Sequence, residues 1–103
     1  AAQGQRVMLD FYADWCVACK EFEHNTFSDG RVVQQLAGVR LLQADVTLNT
    51  AEQKKLMQEL QIMGPPTILF NDPQGTEQRA QRITGEVSPS EFLQHFTSAQ
   101  KDN

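Results

Sequence analysis

Long apolar stretches are missing from these 103 residues. Runs such as "ILF" (68–70) fall far short of the roughly 20 apolar residues a membrane-spanning helix needs, so no segment reads as a span. Positive charge is also scarce. Nine Lys and Arg are scattered among thirteen Asp and Glu, for a net charge of −4. Nucleic-acid binding is not expected, because it calls for a basic stripe or patch. Cysteine is scarcer still. Two residues, Cys16 and Cys19, make up the whole complement, too few and too close to form a stapling framework. No internal repeat or low-complexity tract appears.

With 40% hydrophobic and 21% charged residues, the chain has the composition of a globular protein rather than a disordered one. Its length suits one domain, which at this size buries about two-thirds of its unfolded surface without disulfide staples. The chain opens at Ala1 without an initiator methionine. We therefore expect a processed protein or an excised domain, and the missing export signal says nothing of compartment. Residues 1–6 and 98–103 read as linker or frayed ends of a single domain covering 1–103.

"VMLDFYA" (7–13) is apolar at nearly every position, as in a central strand covered on both faces. From Cys16 the pattern turns helical, with Cys19, Phe22 and Thr26/Phe27 recurring at three and four residues. "SDGRVVQQLAG" (28–38) predicts a short helix capped by Ser28 or Asp29 and closed by Gly38. "VRLLQADV" (39–46) is a strand that a right-handed crossover sets beside strand 7–12. Thr50 with Gln53 makes a capping box opening a helix whose apolar face is Leu56, Met57 and Leu60. "GPPT" (64–67) breaks the chain before the strand "TILF", "NDPQG" (71–75) is turn chemistry, and a strand at about 78–84 returns antiparallel. Ser88, Pro89 and Glu91 open a last helix that buries Phe92, Leu93 and Phe96. The order β-α-α-β-α-β-β-α gives an α/β fold, a central mixed sheet flanked by helices on both faces.

The two cysteines fall where the first strand hands over to a helix. Cys16 then sits at the helix N-terminus, where free N–H groups and the macrodipole favour a thiolate. Cys19, nearly one turn on, is within disulfide reach and is expected to be the more buried. That asymmetry suggests that Cys16 attacks and Cys19 resolves a mixed disulfide. Two other readings compete. A structural zinc would need His24 and His95 as further ligands, though both read more simply as surface or half-buried helix residues. The cysteines could also be inert core residues.

"DFYADWCVACK" resembles the active-site segment of thioredoxin-fold proteins, and "GPPTILF" resembles their cis-proline segment. "VMLDFYADWCVACKEFEHNTFSD" is more specifically similar to the C-terminal periplasmic domains of the DsbD family of transmembrane thiol:disulfide interchange proteins. The similarity covers residues 7 to 96. It departs from ordinary thioredoxins at Val17-Ala18, where they carry Gly-Pro. The resemblance implies a protein-disulfide reductase with no cofactor beyond the Cys16–Cys19 redox pair and no metal. It also implies a periplasmic location, as a soluble domain of an inner-membrane protein, monomeric when isolated. Electrons would come from the transmembrane domain of the same protein and pass to its N-terminal periplasmic domain, which serves isomerase and cytochrome c maturation pathways. The rivals are a free-standing thioredoxin-like oxidant or haem-pathway reductase, a non-catalytic binding module, and a small zinc module.

Supporting residues follow. Asp10, six residues before Cys16 in an apolar strand, is either a strand-end carboxylate reaching solvent or a buried acid of raised pKa close behind the thiols, as the family's buried acid is. Glu23, seven residues after Cys16, is either a solvated helix residue or a second acid on the face beneath the thiols, titrating together with Asp10. Only about 5–6% of X–Pro bonds are cis, so sequence alone favours trans for both Pro65 and Pro66. The resemblance reverses this for Pro66, which matches the family's cis-proline facing the disulfide. Pro65 lacks the N–H that the family's residue at this place offers a docked partner. Trp15, beside Cys16, is either a docking surface or packed under the helix, Val17 and Ala18 complete the rim, and Phe11 belongs to the core.

Overall fold

The computed structural model describes residues 4–101. Strand β1 (Val7–Tyr12) leads into helix α1 (Val17–Glu21), a π-helical turn (Phe22–Thr26), helix α2 (Gly30–Gln35), strand β2 (Arg40–Asp45) and helix α3 (Ala51–Glu59). Strand β3 (Thr67–Asn71), a 3-10 turn (Arg79–Gln81), strand β4 (Ile83–Thr84) and helix α4 (Pro89–Lys101) complete it. The four strands are ordered β2-β1-β3-β4. β1 pairs parallel with β2, from Val7↔Arg40 to Tyr12↔Asp45. It pairs antiparallel with β3, from Val7↔Asn71 to Phe11↔Thr67. This is the expected mixed sheet.

Alternation along the strands divides the core in two. Met8 of β1 and Ile68 and Phe70 of β3 join Phe22, Phe92 and Phe96 in an aromatic cluster. There Phe22 stacks on Phe27 at 4.7 Å between centroids and meets Phe92 edge-on at 6.5 Å. Phe11 and Leu69 join Val46, Met57 and Ile62 in a second cluster, to which both cysteines belong. β2 is an edge strand that stays largely uncovered: the neighbouring side chains of Leu41 and Leu42 are both exposed.

Local signals decided most helix starts. Asp29 rather than Ser28 caps α2, accepting from the Arg31 N–H at 2.9 Å. Thr50 and Gln53 form the reciprocal capping box. The Glu91 N–H donates to Ser88 Oγ at 3.2 Å at the start of α4.

Five details differ from expectation. The strand at 78–84 shrinks to Ile83–Thr84, paired with Ile68 and Thr67, and Asn71 bridges back to Glu77 alone. Between those pairings β3 advances three residues while the returning chain advances six, and the 3-10 turn takes up the surplus. α2 ends at Gln35 with Leu36 as its C-cap, before Gly38. Leu56 is exposed, whereas Met57 is buried and Leu60 partly so. α3 stops at Glu59, and a left-handed Gln61 (φ 58°) swings Ile62 under the helix to fill that place. The helix after Cys16 widens to a π turn, in which the Phe27 N–H reaches the Phe22 carbonyl at 2.9 Å.

The fifth concerns the tail. The frayed segment expected from residue 98 is helical to Lys101, because Phe92, Phe96 and Ala99 form one apolar stripe and Ala99 is 3% exposed in the aromatic cluster. At the other end, the Arg6 guanidinium donates to the Gln100 carbonyl at 3.0 Å, holding the last carbonyls of α4. The remainder of the expected frayed ends, residues 1–3 and 102–103, lies outside the described residues.

Candidate active site

Cys16 is the N-cap of α1. Its backbone is extended (φ −89°, ψ 103°), and the Cys19 N–H points at its Sγ at 3.0 Å. The two residues form a disulfide, with Cα atoms 5.2 Å apart. An N–H aimed at Sγ also stabilises the thiolate that reduction would leave there. Exposure separates the cysteines only slightly, 6% for Cys16 and 3% for Cys19. Their inequality therefore lies in position, Cys16 at the helix terminus and Cys19 one turn inside it.

Beside Cys16 apolar side chains stand open to solvent next to the polar Asp14, Lys20 and Glu21. Trp15 is 57% and Val17 72% exposed, Ala18 is half-buried, and nearby loops add Leu48 at 81% and Met63 at 97%. The sheet register explains the grouping. β1 and β2 run parallel and end together, and β3 starts beside the end of β1. Trp15 is thus a surface residue, not packed under the helix. Its indole N–H donates to the Thr47 carbonyl at 2.9 Å, and the Thr47 hydroxyl accepts from the Asp14 N–H at 2.8 Å. The Lys20 ammonium donates to Tyr12 Oη at 2.8 Å, and Tyr12 Oη donates to Asp14 at 3.0 Å.

The Pro65–Pro66 peptide bond is cis. Pro66 is buried and directly precedes β3, at the level of Tyr12 by register. Its carbonyl accepts from the Gly85 N–H at 2.9 Å, and the Gly64 carbonyl accepts from the Thr67 hydroxyl at 2.7 Å. Half-buried Pro65 keeps only its carbonyl for a partner's backbone.

Asp10 sits within β1, two residues before its end. It lies half-buried in a cleft of about 450 Å³ with Glu23, Met8, Phe27, Leu41 and Gln43. Burial first, and then the charge of Glu23, push its carboxyl up to about 7, against an opposing hydrogen bond from Gln43. The structure thus unites the two acids with each other, though the exposed Glu23 is the wetter of the pair. Neither cysteine lines their cleft. His24 is exposed on the π turn, and His95 on α4 contacts the Gln81 carbonyl through Nδ1 at 3.1 Å. Among the described residues, no three His, Cys, Asp or Glu side chains converge as a metal set would.

Sequence reasoning missed Thr47, Lys20 and Gln43. The parallel register sets Gln43 beside Asp10, so an alignment of strands 7–12 and 39–46 carries that signal. Thr47 offered none, because its contacts arise from loop geometry, and Lys20 none, because its reach from α1 back to Tyr12 at the end of β1 depends on how the helix sits against the strand.

Residues 1–100 match the family of thioredoxin-like domains. The thiol:disulfide interchange protein DsbD of Yersinia pestis is 60% identical over 95 residues, which are 92% of this chain and 16% of that protein. Its counterpart in Salmonella paratyphi A is 56% identical over 96% of this chain and 18% of its own length. The chain therefore spans about a sixth of the curated relatives it matches. Among solved structures, the reduced C-terminal domain of Neisseria meningitidis DsbD superposes with a TM-score of 0.81 at 32% identity, covering 95% of this chain and 84% of that one. With a disulfide on the strand-to-helix corner, a cis-proline at the head of β3 and these likenesses, the chain belongs to the thioredoxin-like family, in the branch of the DsbD C-terminal domains.

Proposed function

We propose that residues 1–103 work as a single reductase domain: they accept electrons from a transmembrane partner domain and deliver them to a partner disulfide in the periplasm. The observation that carries this reading is the Cys16–Cys19 disulfide at the N-terminus of α1, flanked in sequence by the exposed Trp15 and Val17. In the reduced domain the Cys16 thiolate attacks one sulfur of the partner disulfide. That bond breaks, the partner's other sulfur leaves as a thiolate, and a mixed disulfide joins the two proteins. Cys19 then loses its proton and attacks Cys16 Sγ, which releases the partner's second thiolate. Two electrons have passed to the partner, its thiolates take up two protons, and Cys16–Cys19 is oxidised. An upstream dithiol reverses the sequence. Asp10, titrating near neutrality, serves as acceptor for the Cys19 proton, and Glu23 tunes it. Trp15, Val17, Ala18 and the Pro65-Pro66 loop receive the partner, for which the N-terminal periplasmic domain of a DsbD-like protein is the natural candidate. No metal or organic cofactor takes part.

The test is to trap the intermediate. A Cys19→Ser variant mixed with the oxidised N-terminal domain of such a protein forms a one-to-one covalent adduct on non-reducing electrophoresis, which dithiothreitol dissolves. A Cys16→Ser variant forms none. Absence of the adduct with Cys19→Ser would sink the reading. A reduction potential near the roughly −120 mV of strong oxidases would reject the reductase direction.

A further inference from the structure

The segment Gln61–Pro66 links α3 to β3 and carries the fully exposed Met63 and the cis-proline. It has no regular secondary structure, so its shape depends on what holds it. Ile62 is buried in the cluster that contains both cysteines, and its N–H reaches the Met57 carbonyl at 2.7 Å. Gln61, just before it, is left-handed, a conformation that non-glycine residues adopt at a cost. Two arginines, one in the 3-10 turn and one just after it, hold that residue. Arg82 Nη1 donates to the Gln61 main-chain carbonyl at 3.3 Å, and Arg79 Nη2 donates to its side-chain carbonyl. Arg82 is itself fixed by Glu77, which accepts from Nε at 2.7 Å and from Nη2 at 2.9 Å. The two side chains are only 12% and 20% exposed, so water competes less for them than for an open surface pair.

We propose that Glu77, Arg82 and Gln61 form a clamp whose task is to position the Met63–Pro66 loop for docking a protein disulfide, with Arg82 as its positioning residue. The three residues surplus to the β3 pairing acquire a purpose on this view. The 3-10 turn they build sets Arg79 and Arg82 against Gln61 while Ile83 re-enters the sheet. The clamp touches neither cysteine, so it acts on partner affinity and leaves the chemistry of Cys16 alone.

The inference rests on the oxidoreductase reading, and its test separates the two. The domain is assayed with insulin as a protein disulfide, recycled by dithiothreitol, and, pre-reduced and freed of dithiothreitol, in a single turnover with 5,5′-dithiobis(2-nitrobenzoate) as a small one. Arg82→Met raises KM for insulin roughly tenfold, the worth of a charge-assisted hydrogen bond, with kcat and the small-disulfide rate unchanged. Glu77→Gln, the milder variant, raises KM less. Arg82→Lys does not rescue it, because an ammonium cannot hold Glu77 by two bonds and Gln61 together. An unchanged KM, or equal losses on both substrates in a variant that still melts cooperatively, overturns the clamp. Amide hydrogen exchange at Ile62 and Gly64 reads the clamp without activity: faster exchange in Arg82→Met supports it, and unchanged exchange overturns it. A wild-type domain that reduces neither disulfide refutes the oxidoreductase reading alone and leaves the clamp to be judged by exchange.

Discussion

Asp10 shows how much one residue can say about pH. Its carboxyl titrates near 3.8 when unfolded and is pushed up to about 7 in the fold, by burial first and by Glu23 second. Between those values the folded protein holds a proton that the unfolded chain has lost. Stability from the neutral acid is therefore complete below about pH 4 and is lost as pH rises through about 7. A shift of this size corresponds to an upper bound of about 4 kcal/mol. Asp10→Asn, which cannot ionise, is expected to flatten urea-denaturation stability between pH 5 and 8 and to exceed wild type at pH 8. Parallel pH curves for the two proteins would contradict that assignment. In the reduced domain, the same variant, which removes a negative charge, is expected to lower the Cys16 thiol pKa and to slow disulfide exchange. Thiolate ultraviolet absorbance and stopped-flow exchange with a protein disulfide read these effects.

Among the elements, α3 is held at its start by the Thr50–Gln53 box, in which the Gln53 N–H reaches Thr50 Oγ1 at 3.1 Å and the Thr50 N–H reaches Gln53 Oε1 at 3.0 Å. Thr50→Ala is expected to cost about 1 kcal/mol in denaturant unfolding, and a loss below a tenth of that would mean the box is idle. That box, the Asp29 cap and the Phe92/Phe96 stripe were legible because each is local chemistry a few residues long. The cysteine corner was legible for the same reason. The π turn was not, since Cys19, Phe22, Thr26 and Phe27 fit a regular helix as well. What widens the turn is tertiary: Phe27 stacking on Phe22, and the Thr26 hydroxyl reaching the Val87 carbonyl at 2.8 Å. The broken strand at 78–84 hid similarly, because sequence alternation cannot reveal a three-residue surplus relative to a partner strand. Pro66 lay between these cases, as the rarity of cis X–Pro bonds favoured trans and only the family resemblance pointed to cis.

For the whole molecule, two opposite ends of the sheet-and-helix sandwich carry different kinds of order. The tail of α4 is tied to Arg6 and the aromatic cluster, whereas the end bearing Cys16 leaves Trp15, Val17, Leu48 and Met63 to solvent. Close packing at one end and apolar exposure at the other fit the proposal that one redox corner meets successive partners. The edge strand β2 adds a separate consequence. Among the described residues its outer backbone faces no neighbouring strand, and Leu41 and Leu42 project on both sides. A bare, greasy rim of this kind is a template for strand-to-strand stickiness. The isolated chain is expected to stay monodisperse when dilute and to self-associate as concentration climbs, with Leu42→Lys postponing the onset. Light scattering that is indifferent to concentration, or to that lysine, would count against it. Shelf life and handling, rather than catalysis, would then be governed by a strand that carries neither cysteine.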